Sequence, residues 1–124
     1  MQSRRSLRVA ELLKKEISHI IFTEIKDPRI GFITITRVTV SPDLKIARIY
    51  LSVIGDQTKR EKCLQGLEKA KAFIRSELAP RTGLRYVPEI KFFYDDTFDY
   101  IENIDHLLKK VQGEQNSSPE YEAK

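Results

Sequence analysis

Two runs of β-branched residues joined by a tight turn constrain this chain more than any other feature. "FITITRVTV" (residues 32–40) and "LKIARIYLSVI" (residues 44–54) carry the residue types that fit a pleated, half-buried surface. Between them "SPD" places Pro42 at the second position of a turn, with Asp43 after it. The pattern predicts an antiparallel hairpin. In its second strand Ala47, Ile49, Leu51 and Val53 share one face, and Ile46, Arg48, Tyr50 and Ser52 share the other. One face is apolar and the other half polar, as in an open antiparallel sheet covered on one side.

Helical patterns supply the cover. Val9, Leu12, Leu13, Ile17, Ile20 and Ile21 recur at helical spacing over roughly residues 4–24, behind Ser3 as N-cap. The opposite side of that helix carries Arg4, Arg5, Arg8, Lys14 and Lys15. "KDPRIG" ends it, because the residue before Pro28 resists helical geometry and Gly31 accepts positive φ. "TKRE" from Thr58 has capping-box spacing and opens a long helix striped by Cys63, Leu67, Ala70, Ile74 and Leu78, which Pro80 and Gly83 end. A third strand lies in "YVPEIKFFYDD". A further amphipathic stretch carries Ile101, Ile104, Leu108 and Val111. The expected architecture is one α+β domain over residues 1–111, a three-stranded sheet with helices packed on one face. Residues 112–124 lack a core-forming pattern and read as a disordered tail.

At 124 residues the chain fits a single domain that buries roughly two-thirds of its unfolded surface. The lone Cys63 excludes an intramolecular disulfide and a cysteine-based zinc cage. The charged, amphipathic start lacks a signal peptide's apolar run, and no segment approaches the roughly 18 apolar residues of a membrane span. These features predict a soluble, cytoplasmic protein with no membrane partner. Residues 1–91 hold 19 Lys/Arg against 10 Asp/Glu, whereas residues 92–124 hold 3 against 8. Such a split suggests a body that meets an anion and an end that avoids it.

Four aromatics in "YVPEIKFFYDD" raise the question of a base-stacking platform. Alternation puts Ile90, Phe92 and Tyr94 on a core face, and Glu89, Lys91, Phe93 and Asp95 outward. Platforms need several rings exposed together in a basic groove, and this strand offers one ring beside two carboxylates. The strand reads as a wall of the core. Basic residues gather instead on the long helix and just beyond it: Lys59, Arg60, Lys62, Lys69, Lys71, Arg75, Arg81 and Arg85. Lys71 and Arg75, four apart, project from one side, and Arg81 and Arg85 fall in the loop that follows. Such cations bind phosphates, although a solvated helix face has the same composition.

Taken together, "RVAELLKKEISHIIFTEIKDPRIG", "VTVSPDLKIARIYLSV", "AKAFIRSELAPRTGLRYVPEIKFFYDDT" and the capped helix between them resemble the ribosome-binding factor A family over residues 8–97. The combination of "EIKDPRIG", "VSPDL" and "LRYVPEIKFFYD" carries the resemblance. It implies a KH-like fold of the second topological type, α–β–β–α–α–β, in which an Ala-x-Gly helix–kink–helix replaces the Gly-x-x-Gly loop. Here that motif reads Ala70, Lys71, Ala72, without the glycine. The implied function is that of a non-enzymatic assembly factor binding the free 30S subunit through 16S rRNA, assisting its late processing and growth in the cold. Carried over, Lys69, Lys71, Arg75, Arg81 and Arg85 are the first candidates for rRNA contact. Arg29, Arg4, Arg5, Arg8, Lys45 and Arg48 follow them. The expectation is a monomer with no cofactor, no metal and no small-molecule substrate.

Two other classes compete. Asp95, Asp96, Asp99 and His106 could be imagined around a metal, but they straddle a strand end and a helix start, where Asp commonly caps. No nucleophile–base pair or phosphate-binding glycine loop accompanies them; His19 reads as a surface residue and Cys63 as core. A protein–protein adaptor, meeting a ribosomal protein or another assembly factor through Phe93 and the acidic end, is the stronger alternative.

Overall fold

A computed structural model describes residues 3–97 and 107–108. Its elements are α1 (Arg4–Glu24), β1 (Ile33–Val40), β2 (Ile46–Val53), α2 (Gln57–Thr82) and β3 (Glu89–Tyr94). The α+β order expected from the sequence is present. The stretch containing Ile101, Ile104 and Val111, the segment 112–124, Asp99 and His106 lie outside the described residues.

The hairpin forms as its turn chemistry demands. The Leu44 N–H donates to the Ser41 carbonyl (2.8 Å), and the Asp43 carboxylate accepts from the Ser41 hydroxyl and the Lys45 N–H. Leu44 closes the loop with φ 61°, in the left-handed region. The three strands lie in the order β1-β2-β3. β2 pairs antiparallel with β1 but parallel with β3, so the sheet is mixed and not the purely antiparallel one the hairpin suggests. The reason is that α2 intervenes. A helix leaving the end of β2 returns the chain to the start of the sheet, and only a parallel strand can follow.

Simple alternation along β1 would put Ile33 and Ile35 on one face and Val38 and Val40 on the other. A β-bulge between Ile35 and Arg37 removes this conflict. Ile35 pairs with Leu51, then Arg37 with Tyr50, Val38 with Ile49 and Val40 with Ala47. All four aliphatic residues of β1 thus reach the helix side, and Arg37 moves to the open side beside Tyr50.

The core lies between the sheet and the two helices. Leu13, Ile17 and Ile20 of α1 and Cys63, Leu67, Ile74 and Leu78 of α2 are fully buried against Ala47, Ile49, Leu51 and Ile90. Phe92 belongs to this core as expected, and Tyr94 is half-buried at its margin. Burial pushes the Cys63 thiol up to about 11, which keeps it protonated and unreactive. Gly66, buried in α2, lets the 27–30 loop dock on the helix. A Cβ there would lie 3.0 Å from Ile30 Cγ1 and 3.3 Å from an Asp27 carboxylate oxygen.

The ends of α2 differ from the sequence reading. Asp56, not Thr58, is the N-cap, and its carboxylate accepts from the Lys59 N–H at 2.9 Å. A charged acceptor at the positive end of the helix dipole wins over the hydroxyl two residues later. The helix also runs past Pro80 to Thr82, because a proline near the end removes one hydrogen bond while its fixed φ remains helical. Gly83 then caps it in the left-handed region, its N–H donating to the Ala79 carbonyl. The implied helix–kink–helix is here one continuous helix, with Ala70, Lys71 and Ala72 in its interior. Two alanines, the best helix formers, leave no break where a glycine would allow one.

Asp56→Ala should therefore lower stability by about 1 kcal/mol in urea unfolding. Thr58→Ala should cost less than about 0.5 kcal/mol. The opposite ranking would restore Thr58 as the cap.

Candidate nucleic-acid interface

The cations predicted to form one row on α2 divide between two flanks. At 100° per residue, Lys69 and Lys71 project about 160° apart. Lys69 lies on the flank facing the 27–30 loop, where its charge contributes to holding the Asp27 carboxyl low. Lys71 and Arg75 lie on the flank toward β3. Arg81 falls close to the buried stripe itself, in the last turn of the helix and not in the loop beyond it.

Partners divide these residues further. Lys71 ion-pairs with Glu68 at 2.9 Å. Arg75 donates from Nη2 to the Val87 carbonyl at 2.7 Å, tying the segment before β3 to the helix. Arg81 is half-buried between Glu77 (3.3 Å) and Glu16 of α1 (3.8 Å). Arg29 is held against Asp27 by a bidentate contact that brings the Asp27 carboxyl down to about 2. Its own guanidinium is raised by the same hydrogen bond. Arg29, Lys71 and Arg81 are thus matched by carboxylates, which lowers their attraction for phosphate, whereas the carbonyl on Arg75 fixes its position without neutralising its charge.

Other predicted cations have no carboxylate within ion-pairing distance among the described residues. Lys69 is exposed on α2. Arg85 lies in the loop after the helix with its guanidinium 5.6 Å from the Tyr86 ring centroid. Arg4, Arg5 and Arg8 are exposed on the first turns of α1, Lys45 at the hairpin turn and Arg48 on the open face of β2. The structure does not gather them into one patch.

Strand register brings together a group that sequence reasoning passed over. Arg37, Tyr50 and Phe93 lie in one row across the three strands, and Arg48 and Lys91 pair in the next row. The Arg37 guanidinium sits 4.2 Å from the Tyr50 ring centroid, and Tyr50 stacks on Phe93 at 5.4 Å. Within β3 alone Phe93 is a single outward ring; its companion comes from β2, and the β1 bulge supplies the cation. Only the cross-strand register could have revealed the set.

Asp95, at the end of β3, accepts from the hydroxyl of the bulged Thr36 and from the N–H and hydroxyl of Thr97. These hydrogen bonds hold its carboxyl at about 2, and the geometry is that of a cap. Among the described residues no cluster of His, Cys, Asp or Glu could hold a metal ion. Among the same residues no helix is long and apolar enough to cross a membrane.

A small KH-like α+β domain, with one sheet face uncovered among the described residues and its unmatched cations spread over helix, loop and strand, is the class these features define. Among solved structures it is similar to the solution structure of a putative ribosome-binding factor A from Thermotoga maritima. The TM-score is 0.66 at 28% identity, covering 75% of this chain and 89% of that one. It also matches a homology model of Thermus thermophilus ribosome-binding factor A fitted into the cryo-EM map of a complex of that factor with the 30S subunit. There the TM-score is 0.57 at 22% identity, covering 77% and 96% of the two chains. The sequence model of the family "Ribosome-binding factor A" matches residues 5–108. Ribosome-binding factor A from Halothermothrix orenii is 49% identical over 120 residues, 97% of this chain and 98% of that one. The chain belongs to the ribosome-binding factor A family.

Arg75→Ala should cost about 1 kcal/mol of stability by removing the Val87 contact. Lys69→Ala should change stability by less than about 0.5 kcal/mol. Urea titration of both variants checks the division between tethers and free cations. The lowered Asp95 pKa contributes stability that is complete above the ordinary value of about 4. That contribution is lost as pH falls toward about 2. An NMR carboxyl titration should show the Asp95 midpoint rising in Thr36→Val.

Proposed function

We propose that this protein is a non-enzymatic assembly factor that binds the free small ribosomal subunit through 16S rRNA and assists its late processing in the cytoplasm, including in the cold. The observation that carries the reading is family membership over nearly the whole chain. The relative fitted into a 30S complex supports the choice of subunit. The contacts fall to the cations that the fold leaves unmatched. Lys69 and Arg85 come first, with Arg4, Arg5, Arg8, Lys45 and Arg48 around them. Lys71, Arg75, Arg81 and Arg29 act mainly by holding α2, its following loop and the 27–30 loop in place. The protein works as a monomer, and no cofactor or small-molecule substrate enters this reading. Binding is electrostatic, with specificity from the shape of an rRNA junction.

A second reading, an adaptor that meets a ribosomal protein or another assembly factor, draws on a different surface. Phe22, Phe32 and Ile54 are 86%, 82% and 79% exposed, and the two phenylalanines flank an apolar groove at the end of α1.

Co-sedimentation with isolated small subunits, large subunits and joined ribosomes over a salt series separates the two. The rRNA reading expects selective pelleting with free small subunits that fades as salt rises. Lys69→Glu combined with Arg85→Glu should abolish pelleting while leaving the fold intact. Normal pelleting of that double variant, with loss in Phe32→Ser, would establish the adaptor instead.

A further inference from the structure

The bare face of the sheet carries chemistry that the helix cations do not. Both helices pack on the other face, and no described element covers this one. At its centre Tyr50 is held between the Arg37 guanidinium and the Phe93 ring. Phe93 ends the stack at the edge strand and keeps 39% of its surface exposed. One row along, Arg48 and Lys91 stand opposite each other in register, both exposed. The rows are two residues apart along the strands, about 7 Å. Among the described residues none of Arg37, Arg48 and Lys91 has a carboxylate within ion-pairing distance. Glu89 is exposed on the same face two residues from Lys91, and Asp95, engaged with Thr36 and Thr97, lies near enough to Arg37 for that charge to help hold its carboxyl low.

We infer that this face holds unpaired nucleotides of RNA, with a base stacked on Phe93 and the adjoining phosphates over Arg48 and Lys91. The inference rests on the rRNA reading above and adds to it a second contact surface and the state of the RNA it takes. Three physical points carry it. An exposed ring beside cations can stack any base, and the single ring here takes one base where a full platform of several rings would take more. Paired bases are already stacked on both sides, so a duplex offers Phe93 nothing comparable. The stack is also assembled before the ligand arrives: with Tyr50 fixed on both faces, little side-chain entropy remains to be lost on binding. Asp95 and Asp96 lie beyond the Phe93 end and repel phosphate, so the phosphates lie on the Arg48 and Lys91 side of the ring.

The test uses the full chain, a fluorescein-labelled 12-nucleotide oligouridylate and a 12-base-pair RNA duplex, read by anisotropy. Phe93→Ala should weaken single-strand binding about tenfold or more and leave duplex binding unchanged. Phe93→Tyr, which keeps a ring, should restore it. Lys91→Glu should weaken binding and flatten its salt dependence by roughly one phosphate contact. A folded Phe93→Ala protein with wild-type single-strand affinity overturns the inference, as does equal loss for the duplex. Should Phe93→Ala fail to fold, unchanged affinity and salt slope in Lys91→Glu overturn it. Unchanged RNA affinity with reduced small-subunit pelleting also overturns it and assigns the face to a protein partner. Failure of the wild-type chain to pellet with small subunits is a separate result, and it removes the small-subunit reading whatever the oligonucleotides do.

Discussion

Everything in this structure depends on burying one face of β2. Ala47, Ile49, Leu51 and Val53 project to one side, and the strand is hydrogen-bonded along both edges, to β1 and β3. A strand with two neighbours and one apolar face needs cover on that face only. α1 and α2 supply it, and between them they bury Leu13, Ile17, Leu67, Ile74 and Leu78 against the sheet. The same condition accounts for the bulge at Thr36, without which half of the β1 aliphatic residues would point into water. It also leaves the opposite face, with the polar half of β2 at its centre, uncovered by any described element.

The helices cover one face of the sheet, and the cations on the remaining surface fall into two groups. Some were drawn into the architecture. Arg29 clasps Asp27 under α2, Arg75 ties down the segment before β3, and Arg81 bridges the two helices through Glu77 and Glu16. The Arg29 and Arg81 contacts use charge that phosphate could otherwise attract, whereas the carbonyl on Arg75 only fixes its place. The exposed remainder is spread over several elements. The continuous α2 carries cations on two flanks, Lys69 on one and Lys71 with Arg75 on the other.

Reading α2 in sequence gave its apolar stripe correctly, because 3.6-residue periodicity is a property of the helix alone. Its cations were harder to read. Lys71 and Arg75 look like the most promising pair at (i, i+4), yet their partners are Glu68 and a carbonyl twelve residues away. The carbonyl contact exists only because β3 returns parallel beside β2 and brings Val87 to the helix. The cap at Asp56 and the run through Pro80 were misplaced for a simpler reason: several residues near each helix end can serve, and the geometry of the adjoining loop chooses among them.

The sequence by itself determined the elements, their order and the core, since Leu13, Ile49, Leu67 and Phe92 announce their burial through periodicities that need no partner. Through its motifs it also carried the family. Only the tertiary structure decided which cations are held by carboxylates and carbonyls and which have no such partner among the described residues. It alone placed Arg37, Tyr50 and Phe93 in one row. The physical reason is that periodicity is local, encoded within a few residues, whereas ion pairs and cross-strand stacks join side chains far apart in sequence, through a register set by one bulge and one parallel pairing.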